Sequence, residues 1–130
     1  MSMAINFLKM HGLGNDFIII EGKDMPKSEK EETIAELMSH RVTGVGADQF
    51  IIFDRLDDNT SVRMKIYNQD GSKAMACGNA SRCLVKIMHE HFGVDDFTIL
   101  TENRKLSAKF IRDNYYSVNM GQVSFSEKWM

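Results

Sequence analysis

Short runs of alternating or clustered apolar residues, broken by glycine and small polar residues, give this chain the rhythm of strands and turns, and twice the apolar period lengthens to that of a helix. Ile5 to Met10 and Phe17 to Glu21 read as strands on either side of His11-Gly12-Leu13-Gly14-Asn15-Asp16, whose glycines and short polar residues supply turn conformations. After Pro26, Ser28-Glu29-Lys30-Glu31 matches a capping box, and Ile34, Leu37 and Met38 follow at helical spacing, so a helix is expected over about 29–40. Gly44-Val45-Gly46 ends it. Gln49 to Asp54 and Ser61 to Tyr67 then read as strands joined by the polar turn Asp57-Asp58-Asn59-Thr60.

Asn68-Gln69-Asp70-Gly71-Ser72 is another turn. Beyond it Ala80, Cys83, Leu84, Ile87, Met88 and His91 recur at i, i+3, i+4, i+7 spacing, which predicts a core helix over about 79–91, ended by Gly93. Strands are expected at about 96–102, 105–112 and 115–120, the last two joined by a hairpin turn at Asp113-Asn114. No internal repeat or low-complexity segment interrupts the pattern. The reading is an α+β domain whose curled sheet wraps the helix at 79–91.

Length and composition narrow the picture. A chain of 130 residues fits one domain, since domains cluster near about 100–150 residues. Its 43% hydrophobic and 26% charged residues are those of a globular protein rather than a disordered one. The net charge is −2 and the basic residues form no stripe, which argues against a nucleic-acid partner. The apolar run Phe17-Ile18-Ile19-Ile20 is far shorter than the roughly 20 residues a bilayer helix needs, and Met1 to Asn6 lacks the make-up of a leader, so a cytoplasmic protein away from membranes is expected. Cys77 and Cys83 are the only cysteines, too few for a disulfide framework, and neither they nor the dispersed histidines have zinc-ligand spacing.

The segment Ala76-Cys77-Gly78-Asn79-Ala80-Ser81-Arg82-Cys83 sets a cysteine where a turn feeds the best helix. Unpaired N–H groups and the helix dipole favour a thiolate there. The same donors, from Gly78 and Asn79 onward, suit a substrate carboxylate, and glycine at 78 lets a ligand approach the backbone. The plainer alternative is that Cys77 is a small turn residue. Cys83 lies on the apolar stripe and is expected to pack in the core, not to bridge to Cys77. Asn15, Gln49 and Asn68 stand at strand ends or turns, where an amide either stabilises a turn or contacts a ligand. Gly12-Leu13-Gly14 and Gly44-Val45-Gly46 lack the continuation of a nucleotide-binding loop.

Four motifs carry a resemblance: Lys9-Met10-His11-Gly12-Leu13-Gly14-Asn15-Asp16-Phe17, Gly44-Val45-Gly46-Ala47-Asp48-Gln49, Tyr67-Asn68-Gln69-Asp70-Gly71-Ser72 and Cys77-Gly78-Asn79-Ala80-Ser81-Arg82-Cys83. In order and spacing they resemble diaminopimelate epimerase, from about residue 5 to Val118-Asn119-Met120-Gly121. The resemblance implies a pseudo-symmetric fold of two α+β halves, each a curled, barrel-like mixed sheet around a central helix, facing one another across a cleft. It implies epimerisation of LL- to meso-diaminopimelate by two cysteines on opposite faces of the α-carbon, without pyridoxal phosphate, metal or other cofactor, in lysine and peptidoglycan precursor synthesis.

On this resemblance Cys77 is one base, Asn15, Gln49 and Asn68 contact the substrate, and Gly78 and Asn79 offer donors beside the cysteine. Residues 1–130 then correspond to the N-terminal half. The second half, with its own cysteine and the strand that returns to complete the first sheet, is not among these residues, so the chain is read as a split subunit, a fragment or a truncated product that is expected to be inactive without a complementary half, and a third reading pairs two copies of the chain. An exposed sheet edge and an apolar cleft face would be the association surface. Two alternatives stay open: a non-catalytic amino-acid-binding or assembly module, and a related racemase or isomerase of the same fold.

Overall fold

The structure is a computed structural model that describes residues 5–12, 14–58, 60–75, 78–102, 104–112 and 115–119. β1 (Leu8–Gly12) and β2 (Asn15–Glu21) make a hairpin whose pairing closes at Gly12↔Asn15. The segment expected to be a six-residue loop is therefore mostly paired strand, His11 lying opposite Asp16, because Gly14 at φ 89° helps the chain reverse within a shorter span. A short 3-10 turn at Gly22–Asp24, not foreseen from the sequence, leads on to α1 (Glu31–Ser39).

The capping box is not formed. Lys30 is the N-cap and no side chain caps the helix, because the Glu31 carboxylate is drawn across to the sheet, where Oε1 accepts from Lys65 Nζ and Tyr67 Oη, each at 3.0 Å. Burial, reinforced by that carboxylate, pushes the Tyr67 phenol above its ordinary value, so it stays a donor. Ile34 and Ala35 are buried and Met38 packs beside them, but Leu37 lies on the flank of α1 and is exposed.

β3 (Gln49–Arg55) lies parallel to β2, with Phe17 opposite Gln49, and β4 (Ser61–Asn68) returns antiparallel, with Gln49 opposite Asn68. A two-residue strand absent from the sequence reading, β5 (Lys73–Ala74), pairs with the end of β4 and leads towards α2 (Gly78–Phe92). β6 (Asp96–Leu100) pairs parallel with the start of β4, and β7 (Lys105–Arg112) and β8 (Tyr115–Asn119) complete a meander. The turn expected at Asp113-Asn114 lies outside the described residues. Among the described residues, eight strands form one mixed sheet in the order β1-β2-β3-β4-β6-β7-β8, with β5 beside β4.

Strand alternation divides the core into two. Phe17, Ile19, Ile51, Phe53, Val62, Met64 and Ile66 face α2, whereas Ile18, Ile20, Phe50, Ile52 and Tyr67 face α1. α2 packs against β1, β7 and β8, so one helix touches both edges of one sheet. That requires the sheet to curl. It also explains why Ser81 and Val85, off the expected stripe, are fully buried along with Ala80, Cys83, Leu84, Ile87 and Met88. His91, expected on the stripe, is exposed. Each large aliphatic side chain so buried contributes about 1.5–3 kcal/mol. Gly93 at φ 65° ends the helix, its amide donating to the His89 carbonyl.

Candidate active site

The register brings three of the sequence-predicted residues together. Gln49 opens β3 opposite Phe17 on one side and Asn68 on the other, and Asn15 opens β2 two residues before Phe17. Since Phe17, Ile51 and Ile66 face α2, the period of two puts Asn15, Gln49 and Asn68 on that same side. All three are half-buried at one end of the sheet. α2 starts four residues after Ala74, which pairs with Ile66, and Ala80 in its first turn is buried in the same cluster as Phe17, Ile51 and Ile66.

Gly78 is exposed in the first turn of α2, and among the described residues a Cβ added there would meet nothing within 4 Å. Asn79, beside it, is half-buried. Cys77, the predicted base, lies outside the described residues. Cys83 packs in the core at 6% exposure, as its place on the stripe predicts.

Asn68 also has a local job. Its amide N–H donates to the Ser72 carbonyl at 2.7 Å and its Nδ2 to Ser72 Oγ at 3.1 Å, and Asp70 accepts from the Ser72 amide and hydroxyl at 2.9 and 2.6 Å. Those donors hold the Asp70 carboxyl below its ordinary range, the hydroxyl contributing most. Gly71, at φ 86°, brings this turn against α1, where a Cβ would stand 2.7 Å from the Glu32 carbonyl. The other glycine-rich segment caps α1: the Gly44 amide donates to the His40 carbonyl, and those of Val45 and Gly46 to Met38, all at 2.9 Å. Gly44-Val45-Gly46 serves a helix end.

A group of charges that sequence reasoning missed lies on the reverse side of the same sheet end. Arg41 donates to both carboxylate oxygens of Asp16 at 2.9 Å and to Asp48 Oδ1 at 3.0 Å, and Lys9 Nζ stands 3.1 Å from Asp16 Oδ2 and also donates to the Gly46 carbonyl. The two aspartates bond reciprocally: the Asp48 amide donates to Asp16 Oδ1 at 2.7 Å, and the Asp16 amide to Asp48 Oδ2 at 3.1 Å. Arg41 first, then Asp48 and Lys9, hold the Asp16 carboxyl far below the usual range, against the opposing effect of its burial. The signal was present in the sequence as single acids next to Asn15 and Gln49, at the mouths of apolar strands.

At the opposite end, a groove of about 280 Å³ opens between the start of β1 and the end of α2, its lining including Leu8, Ile19, Phe53, Ile87 and Phe92 together with the acidic Glu21 and Asp24. Among the described residues no helix is long and apolar enough to cross a membrane, and no three His, Cys, Asp or Glu side chains are grouped to hold a metal.

The fold, one curled mixed sheet around a central helix, recurs in solved structures. A methylitaconate-delta-isomerase superposes with a TM-score of 0.62 at 13% identity, over 82% of this chain and 35% of that one. A phenazine biosynthesis protein of the PhzF family from Enterococcus faecalis gives 0.59 at 11% identity, over 79% and 36%. These likenesses define a fold class. The sequence goes further, because the diaminopimelate epimerase family model matches residues 7–126, and the chain belongs to that family. It is 49% identical to diaminopimelate epimerase of Rickettsia bellii and 47% to that of Rickettsia africae, each over all 130 residues. The chain spans about half the length of these relatives, 48% and 47% respectively.

Proposed function

We propose that this chain supplies the N-terminal half of a diaminopimelate epimerase active site, which inverts the α-carbon of LL-diaminopimelate to give the meso form in lysine and peptidoglycan precursor synthesis. The observation that carries the reading is the convergence of Asn15, Gln49 and Asn68 on the α2 side of one sheet end, close to the exposed start of that helix. Three neutral amides and a helix N-terminus suit a zwitterionic amino acid, whose carboxylate takes N–H donors and whose ammonium takes amide oxygens.

Cys77 is the base or acid on one face of the substrate. Its thiolate removes the α-proton, and a thiol from the complementary half delivers a proton to the other face, so the configuration inverts with no net change in protons. Charge that develops on the substrate carboxylate is met by donors at Gly78 and Asn79. Removing one such donor in a comparable site costs on the order of 10²–10³ in rate. The work is that of a cytoplasmic enzyme without a cofactor.

The complementary half docks along β1, an edge strand among the described residues, whose Gly12 end lies beside Asn15 at the candidate site and whose Leu8 end carries the groove and the exposed Phe7 as apolar surface. The test combines this chain with the second half of the Rickettsia bellii relative and follows α-proton exchange of diaminopimelate in deuterated water. Cys77→Ala is expected to abolish inversion, with exchange surviving at most on the face that the complementary thiol serves. Unchanged exchange would overturn the assignment, and binding without any exchange in the unsubstituted pair would favour an amino-acid-binding module.

A further inference from the structure

We propose that Arg41 is a positioning residue for the candidate site, clasping Asp16 and Asp48 on the α1 side of the sheet and so fixing how Asn15 and Gln49 stand together on the α2 side. The inference rests on the reading of Asn15 and Gln49 as substrate contacts. Asp16 follows Asn15 within β2, where successive residues point to opposite sides, and Asp48 is the residue just before Gln49, which opens β3. Any shift of one aspartate is passed through the pleat to the amide beside it.

Three features make the clasp specific. Its bonds lie at the very mouth of the parallel pairing of β2 and β3, whose first partners are Phe17 and Gln49, so beyond that point no further ladder holds the two strands together. The bonds are reciprocal, as the Asp48 amide donates to both the side chain and the carbonyl of Asp16 while the Asp16 amide donates to Asp48. Finally, Asp16 is only 9% exposed and its carboxylate needs a cation, which Arg41 supplies with a planar fork that reaches both aspartates. Lys9 adds a point charge to Asp16 alone.

The same two strands carry a control. At their far ends Arg55 Nε donates to Glu21 at 3.0 Å, again a cation–carboxylate bridge from β3 to β2, but remote from Asn15 and Gln49. In the full chain, ¹⁵N relaxation of the Asn15 and Gln49 side-chain amides is compared among the unsubstituted protein, Arg41→Ala, Arg41→Lys and Arg55→Ala. Arg41→Ala is expected to release both amides, Arg41→Lys to restore them only in part, and Arg55→Ala to leave them ordered even where it lowers the unfolding midpoint. Unaltered amides in Arg41→Ala, or equal loosening in Arg55→Ala, would reduce the clasp to a strand staple and sink the proposal.

With the complementary half present, Arg41→Ala should raise KM for diaminopimelate about tenfold, with kcat changed by less than about twofold, as expected when binding geometry alone is lost. Asn15→Ala and Gln49→Ala separate the two ideas. If neither alters KM, the substrate reading fails, whereas the relaxation experiment still decides the clasp.

Discussion

The two ends of the sheet are built on different physics. Where β2 and β3 begin and β4 finishes, the strands are held by hydrogen bonds and ion pairs to particular atoms: Asp16 to Asp48, Arg41 to both, and Asn68 to Ser72. At the far end packing dominates, with Phe53 edge-on to Phe92 at 6.2 Å, the Arg55 guanidinium 3.7 Å above the Phe92 ring, and His89 stacked on Phe110 at 3.6 Å while its Nδ1 meets Asp95 at 2.5 Å. Directional bonds fix geometry at modest gain in stability, and apolar contacts add stability with little directional demand. The end that fixes the placement of polar side chains is the end where the proposed substrate contacts stand.

Substitutions at the two ends should therefore separate stability from geometry. The largest loss is expected for Phe53→Ala, whose side chain is 3% exposed; it should cost about 3–5 kcal/mol in urea unfolding without moving the Asn15 and Gln49 amide resonances. If those resonances shift as much as they do in Arg41→Ala, the two ends are not independent.

Asp16→Asn comes next, at about 1–3 kcal/mol for the loss of charge-assisted bonds at a nearly buried group, and here the amides should move. Because folding depresses the Asp16 pKa, its contribution is present above the ordinary carboxylate value of roughly 3.9 and is lost as pH falls through the lower folded value. Unfolding curves of the unsubstituted protein and Asp16→Asn should thus differ by a constant amount above about pH 5 and converge in acid. A gap that stays constant to pH 3 would contradict the clasp's ionic character.

Gly93→Ala forces a side chain into the left-handed region at φ 65° and should cost about 1–2 kcal/mol, read from thermal unfolding. Arg55→Ala should be mildest, about 0.5–1 kcal/mol for a half-exposed cation on an aromatic face. A larger loss than Asp16→Asn would mean that the far end is the more polar anchor after all.

Local rules made seven of the eight described strands, both helices and the start of the cysteine-bearing helix legible in the sequence, because each rests on a period or a glycine within a few positions, whereas the two-residue β5 has neither. The burial of Ile34, Leu84 and Cys83 followed from spacing alone. What escaped depends on partners distant in the chain. Glu31 looked like half of a capping box until the sheet placed Lys65 and Tyr67 within reach of it. Ser81 and Val85 sit off the stripe and are buried only because the sheet closes round α2 from both edges. Arg41 carried no local signal, since its partners lie 25 residues before and 7 after it. The amides Asn15, Gln49 and Asn68 were found one by one, but only the register explains why they share a side.

The two parallel joints, β2 with β3 and β4 with β6, have a kinetic consequence. Every other pairing links strands close in sequence and can zip from a local nucleus, whereas these close only after residues 22–48 and 69–95 have looped back as crossovers. Assembly should therefore run from three preformed ribbons, β1-β2, β3-β4 and β6-β7-β8, to a late annealing along two seams. The β4–β6 seam has three residue pairs against five for β2–β3, so its amides should be the first in the sheet interior to surrender their protons to solvent.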